Sequence, residues 1–365
     1  MTEIAIVSST LATPLAALLE SSGKISAFTT YRGVLTVKEL DAPANEIAAL
    51  ASGAAVHDLG WLSRVTVRGE DRVRWLSGMV TNMVSELAPN AGAWNLVLNA
   101  QGRIQGDLHV WRQGDALELE LAADQREKLL AHLEHFIIMD DVELAPIEGE
   151  TALGLTGPLA EEVLDRLSLP KLAEPMTATR VEWNGVDLKI VRGFGALAPH
   201  YEFWFPQAQL VRVWKFLRAA GAAPVGAASV ESFRIAEGIP AYGIDIAERD
   251  LPQETSQMRA LHFNKGCYLG QEIVERIRSR GSVHRHLRSL ELTGPVPAAG
   301  AELTLADGTQ AGEITSAAEL GFLAGNRVFA LGMIRGEAEL RKQDFNYTVE
   351  AGAGVARILA ETPAI

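Results

Sequence analysis

The chain has 365 residues, 48% of them hydrophobic and 22% charged, with a single cysteine at Cys267. This composition excludes disorder, collagen and coiled coil as global descriptions and fits about two to three globular domains. A formal net charge of −13 is a poor general platform for duplex DNA or an anionic membrane, and a lone cysteine allows no internal disulfide and no multi-cysteine metal centre.

Residues 1–24 contain no basic residue before Lys24, unlike the positive start of a secretory signal. No apolar run approaches the ~18 residues of a membrane span. These features predict a cytoplasmic protein with no direct nucleic-acid or membrane partner.

The first clear element is a strand over Val65–Gly69, ending in glycine. A helix over Asp71–Val80 follows, with Val73, Leu76 and Val80 at helical spacing. Asn95–Asn99, Asp107–Arg112 and Leu117–Leu121 read as three strands, with a turn at Gln113–Asp115. The last of them alternates Leu117, Leu119 and Leu121 against Glu118 and Glu120. A helix then starts at Asp124, where Glu127 completes a capping box. It sets Leu129, Leu130, Leu133, Phe136 and Ile137 on one face.

The same order returns. Ala152–Gly157 is a strand ending in glycine, and Leu159–Leu167 is a helix. Strands over Val181–Trp183, Val186–Arg192 and Tyr201–Phe205 follow, the first two joined by an Asn184-Gly185 hairpin turn. Pro206 opens a helix with Leu210, Trp214 and Leu217, stopped at Gly221. Strand, helix, three strands and helix, twice over, predict two related α+β subdomains. Residues 221–228 read as a linker, and 294–300 as a sharper boundary. Beyond it, strands over 302–305, 311–315, 327–334, 347–349 and 355–359, with a turn at Asp307-Gly308, suit a small antiparallel barrel or sandwich.

Two motifs read as structure. Residues 191–198 spell G-x-G-x-x-A after a strand, but Pro199 and an aromatic strand stand where a dinucleotide loop needs a helix. His132 and His135 are three apart on a helix, yet no third metal ligand accompanies them, so they read as surface histidines.

The informative stretch runs from Asn264 to Arg288. From Lys265 to Arg288 it holds six Lys or Arg and two Glu, a basic island that points to an anionic ligand or partner. Cys267 lies between Lys265 and a helix start near Gly270-Gln271, and both features favour thiolate. Two glycines and Tyr268 make a poor core strand, so Gly266–Gly270 is expected to be an exposed or channel-lining loop.

Lys265-Gly-Cys-Tyr-Leu-Gly-Gln-Glu272 resembles the signature of the YgfZ-type folate-binding proteins. These are relatives of the glycine-cleavage T-protein and include a mitochondrial iron–sulfur cluster maturation factor. Glu231–Gly243 resembles the arginine-to-glutamate-glycine segment shared across the superfamily. Thr81-Asn82 and Leu98–Ile104 resemble its first-domain motifs, and Gly312–Ser316 and Ala330–Ile334 its barrel. The resemblance covers nearly the whole chain from about residue 15.

The resemblance implies an α+β fold: two related interleaved α+β subdomains around a central channel, plus a C-terminal small antiparallel β-barrel. Residues 1–290 would form the folate-binding region, with subdomains of roughly 1–50 with 140–228 and 51–139 with 229–290; residues 291–365 would form the barrel. It implies tetrahydrofolate or a derivative as cofactor. Lys265, Tyr268, Gln271, Glu272, Arg234, Glu237, Tyr242 and Asn99 are the candidate cofactor-binding residues. Cys267 is the candidate functional thiol and Asp107 the remaining candidate catalytic carboxylate. No metal ligands are expected.

Three departures from the T-protein pattern bear on function. Gly106-Asp107 stands where T-proteins carry paired aspartates. Residues 196–200 lack their folate-contacting glutamate, and Cys267 replaces an acidic residue. Aminomethyl transfer needs a carboxylate beside the folate amine. The first expectation is therefore a reduced-folate-binding protein that assists assembly, maturation or repair of iron–sulfur proteins through Cys267, with assembly proteins or client apo-proteins as partners. A T-protein-like aminomethyltransferase producing methylene-tetrahydrofolate and a non-catalytic folate-binding module are the alternatives.

Overall fold

The computed structural model describes residues 11–21, 23, 27–281, 283–322 and 325–363; of the stretch 1–24 that lacks a positive start, residues 1–10, 22 and 24 lie outside them. The twofold pattern of the sequence is a repeat of topology. In the first unit, strand Leu62–Arg68 and helix Arg72–Met79 precede strands Gly92–Leu98, Ile104–Gln113 and Ala116–Ala122 and helix Ala123–Glu134. In the second, strand Glu150–Thr156 and helix Ala160–Arg166 precede strands Thr177–Trp183, Val186–Arg192 and His200–Pro206 and helix Leu210–Ala219. Both sheets place the unit's first strand beside its fourth, with the second strand farthest away.

Leu117, Leu119 and Leu121 bury against the first unit's own helical layer with Leu129 and Leu133, as their alternation predicts. The glutamates between them do not face water. Glu118 and Glu120 are buried too, because this face of the sheet packs against the second sheet. Glu118 accepts hydrogen bonds from Arg64 on its own sheet and, at 2.6 Å, from Lys189 on the other. Arg64 also reaches Glu150 at 2.5 Å and lies over the Trp204 ring. Burial alone would raise the Glu118 carboxyl; Lys189 and Arg64 reverse the sign and hold it below its ordinary value.

Flanking strands tie the units together. Glu143–Pro146 joins the first sheet, and Ala55–Asp58 and Ala223–Val225 join the second. The chain therefore changes sheets between residues 58 and 62 and again between 146 and 150, rather than at 50/51 and 139/140. The expected linker at 221–228 is the parallel edge strand Ala223–Val225, paired with Ala55–Asp58, followed by helix Ala227–Ala236. Its small, weakly patterned residues carry little strand signal.

The C-terminal region is a closed six-stranded antiparallel barrel. Its first strand is Arg285–Thr293, which pairs with both Gly325–Arg335 and Gly352–Ile358. Residues 294–300 are thus a loop inside the barrel, and a boundary at 290/291 would cut a strand. The expected capping box at Asp124 does not form: Ala122 is the cap residue and no side chain caps the helix. Instead the Asp124 N–H donates to the Arg32 carbonyl at 3.2 Å. That helix ends at Glu134, leaving Phe136 and Ile137 beyond it. Among the described residues no helix is long and apolar enough to cross a membrane.

Gly154 lies in register with both Glu202 and His57 on the neighbouring strands. A Cβ there would stand 2.1 Å from the His57 ring. Gly154→Ala is expected to destabilise the protein by about 1–3 kcal/mol through overpacking, read as a lower urea midpoint. An unchanged midpoint would show that the ring has room to move.

Candidate functional site

The two sheets and helix Ala227–Ala236 line an open cavity of about 230 Å³. Strand alternation decides which side chains reach it. Asp107, His109 and Trp111 are spaced two apart on one strand, with Trp94 paired opposite His109 and Glu120 opposite it on the other side. His57, Thr156, His200 and Glu202 come from the second sheet, and Phe194, Glu237, Tyr242 and Arg259 from segments outside the two sheets.

Asp107 is held on both oxygens. It accepts from Trp94 Nε1 and from Gln125 Nε2, each at 2.9 Å, and its own N–H donates to Gln125 Oε1 at 3.0 Å. Gln125 also explains Gly106: a Cβ there would lie 2.7 Å from both Gln125 Oε1 and Leu129 Cδ1. The space a second aspartate would need is filled.

Glu237 accepts from the N–H groups of Ala196 and Leu197 at 2.9 and 3.1 Å. Burial outweighs these bonds and the nearby Arg259 charge and pushes its carboxyl up to about 7. Tyr242 accepts from Lys128 at 3.3 Å, and burial raises its hydroxyl. Arg234 also lines the cavity, but its guanidinium is committed to Glu231 and, at 2.7 Å, to Asp245. Asp245 in turn accepts from Thr315 and Ser316 of the barrel at 2.7 and 2.6 Å. Arg234 thus fastens the helix to the barrel.

Part of the cavity wall is lined by groups that were not singled out from sequence. His57 Nε2 and His200 Nδ1 meet the Thr156 hydroxyl at 3.0 and 2.8 Å, with the two rings stacked 5.8 Å apart. Burial first, and for His57 the neighbouring His200 charge, push the two imidazoles down to about 3 and about 4, so both are neutral at pH 7. Burial and the adjacent Glu120 charge raise Glu202 well above its ordinary value. These residues sit on strands whose sequence reads as hydrophobic, so nothing local flagged them.

The octamer 265–272 lies elsewhere. None of its residues lines the cavity. Lys265 is buried, and its ammonium donates to the carbonyls of Val80 and Asn82, both at 2.6 Å; burial pushes it down to about 7. Tyr268 is also buried, in a cluster with Trp94, Leu98 and Val274, which corrects the expectation of a wholly exposed or channel-lining loop. Gly266 and Cys267 are exposed. Gly270 has φ +82° and caps helix Gln271–Arg280; a Cβ on it would stand 2.6 Å from the Asn99 carbonyl. Asn99 holds the turn beneath, accepting from the N–H groups of Gln101 and Arg103 at 3.0 Å each. Glu272 is exposed and Gln271 partly so at the start of that helix. The structure therefore brings Asn99 and the octamer together on one surface, and Asp107, Glu237 and Tyr242 together in the cavity.

Comparison with known proteins gives this architecture a family. The model of the GCVT N-terminal domain matches residues 19–265. The chain belongs to that family. A chloroplastic protein of Arabidopsis thaliana, provisionally named a transferase, is 28% identical over 347 residues, covering 94% of this chain and 77% of its own length. An aminomethyltransferase of Rubrobacter xylanophilus is 28% identical over 279 residues, covering 74% of each chain. The crystal structure of glycine cleavage system aminomethyltransferase T from Bartonella henselae superimposes with a TM-score of 0.86 over 98% of both chains at 20% identity, a likeness of fold.

Within this GCVT-family fold, Thr81-Asn82 acts as a clasp. The Thr81 hydroxyl donates to the Ala260 carbonyl at 2.7 Å, and Asn82 Nδ2 donates to the carbonyls of Trp94 and Arg259 at 3.0 and 2.8 Å. Residues 258–265 are pinned to the first sheet. Basic residues from 265 to 288 also have protein partners: Lys265 as above, Arg278 with Glu275, Arg285 with Asp250 and Glu254, and Arg288 with Glu339. None of the described basic residues of this stretch lines the cavity.

Glu237 offers a direct test of the cavity's polarity. Its carboxyl should titrate near 7 by isotope-edited infrared or carbon NMR spectroscopy. Because the folded value lies above the unfolded one, the native state holds the extra proton, and the resulting stability is lost as pH rises from about 4.5 through 7. Glu237→Gln should abolish that component of the pH dependence. A carboxyl titrating near 4.5 would contradict the assignment.

Proposed function

We propose that this protein binds a reduced folate in the cavity between its two sheets and serves the assembly, maturation or repair of iron–sulfur proteins through Cys267. The cavity carries the folate assignment. Trp94, Phe194 and Tyr242 offer rings to a flat heterocycle, while Asp107 and Glu237 offer a carboxylate and a carboxyl that keeps a proton near neutral pH. This is the lining a pterin-like ring asks for: apolar faces with a few fixed polar groups at its edge. When bound, the folate supplies one-carbon chemistry. This chain's part is to hold Asp107 in one orientation through Trp94 and Gln125, and to keep a proton on Glu237.

The names of the relatives favour a second assignment, aminomethyl transfer, and Asp107 lies where it would be required. The packing around Gly106 counts against it, since Gln125 and Leu129 occupy the place of a second carboxylate. Cys267 supports the iron–sulfur role by being exposed on a loop whose flanks, Lys265 and Tyr268, are buried. Among the described residues no three histidine, cysteine or acidic side chains are grouped to hold a metal, so a cluster would be bound with a partner's ligands.

Anaerobic calorimetry should detect tetrahydrofolate binding to the wild-type protein, unchanged within about twofold in Cys267→Ser. Turnover with an aminomethyl-lipoyl carrier should fall at least ~10²-fold below that of a T-protein, the usual cost of a missing acid–base group. In a deletion strain, wild type should restore the activities of iron–sulfur enzymes and Cys267→Ser should not. Full restoration by Cys267→Ser would remove the thiol from the mechanism, and T-protein-like turnover would establish the second assignment.

A further inference from the structure

The cavity holds two arginines that form no ion pair among the described residues. Arg259 packs its guanidinium carbon 3.8 Å from the Phe194 ring centroid and 4.4 Å from that of Trp94. Its one hydrogen bond among the described residues runs from Nε to Gln257 Oε1 at 3.4 Å, and it forms no ion pair among them. Arg32 donates to the Tyr242 carbonyl at 3.3 Å, while its Nε is buried without a partner. Among the described residues it too forms no ion pair. Arg234, in the same wall, shows the contrast with its bonds to Glu231 and Asp245.

A guanidinium removed from water is costly when no carboxylate is bonded to it. Burial pushes Arg259 down to about 10, only partly offset by Glu237 and Asp107. Its backbone does not share this looseness: the Arg259 and Ala260 carbonyls are bonded by Asn82 and Thr81. The fork thus lies between two rings, with most of its N–H donors unused among the described residues. A planar fork in this state matches a carboxylate, which it can bind through two parallel bonds.

We propose that Arg259, seconded by Arg32, is the carboxylate-recognising element of the cavity, and that it receives a carboxylate of the ligand's glutamyl tail. The glutamyl part rests on the folate assignment; the demand for an anion rests on the unpaired arginines alone. The charged groups facing Arg259 are Glu237 and Asp107, and those facing Arg32 are Asp124 and Glu231. Glu237 changes charge near neutral pH. Below 7 it is protonated and leaves Arg259 to the ligand; above 7 it becomes an anion that competes for the same guanidinium. Carboxylate binding should therefore weaken as pH rises from 6 to 8, and should weaken with added salt.

The test is anaerobic calorimetry with three probes: tetrahydrofolate, the tail fragment p-aminobenzoylglutamate, and tailless tetrahydropterin. Arg259→Gln is expected to weaken the first two about tenfold or more while changing tetrahydropterin less than about twofold, with Arg259→Lys in between. Glu237→Gln should flatten the pH dependence of the tail fragment. If Arg259→Gln binds the tail fragment and tetrahydrofolate as wild type does, the proposal is overturned and the folate assignment stands. If wild type binds the tail fragment through Arg259 but not tetrahydrofolate, the folate assignment falls and the anion site stands. If wild type binds neither, both fall. Should Arg259→Gln fail to fold, Arg32→Gln and the wild-type pH profile decide: an affinity for the tail fragment that does not move in either overturns the proposal.

Discussion

Glu118 stands where the two sheets meet and is bonded from both of them. Two sheets that each cover one face with their own helices present their other faces to each other, and those faces carry charge. Glu118 from the first sheet is bonded by Arg64 beside it and by Lys189 across the gap, with Arg64 passing the contact on to Glu150. Charges buried in this way give no large net stability, but removing one partner strands the others and costs about 3–5 kcal/mol. The cluster joins the two sheets where they face each other. The cavity is the space left beside it, where the side chains of the two faces stop interdigitating.

Polarity within that space follows from the same geometry. Part of the wall is short of cations: His57 and His200 share Thr156 with both imidazoles pushed down by burial, and burial and the Glu120 charge raise the Glu202 carboxyl well above its ordinary value. The wall formed by Phe194, Trp94 and Arg259 keeps an unpaired cation. A ligand that is flat, apolar on its faces and anionic at one end meets both conditions. The clasp from Thr81-Asn82 and the Lys265 ammonium hold residues 259–265 against the first sheet. The exposed Cys267 loop and the cationic wall of the cavity are therefore two ends of one pinned segment.

Much of the architecture was legible in the sequence because it rests on local periodicity. Leu117, Leu119 and Leu121, the Asn184-Gly185 turn and the stop at Gly221 announced the repeat. What was not legible depends on what a face packs against. Glu118 and Glu120 alternate with leucines as a solvated strand face would, and only the second sheet buries them. Residues 223–225 form a strand because Ala55–Asp58 offers a parallel edge, not because Ala-Pro-Val demands one. Asp107, Glu237 and Tyr242 lie in the cavity, whereas Asn99, Gly270 and Lys265 serve turns and packing. Short motifs mark both kinds of constraint equally, so spacing alone could not separate them. Arg259 had no signal of its own: its meaning appears only once Trp94 and Phe194 stand beside it.

On the proposed function, the ligand of this GCVT-family protein lies between the two sheets and not against the octamer at 265–272. The most direct measurement is a crystal structure of the protein grown with tetrahydrofolate under reducing conditions. Density is expected for the ring against Trp94 and Asp107, with a carboxylate on the Arg259 fork. Density on the Cys267 loop, with the cavity between the sheets unchanged, would contradict it.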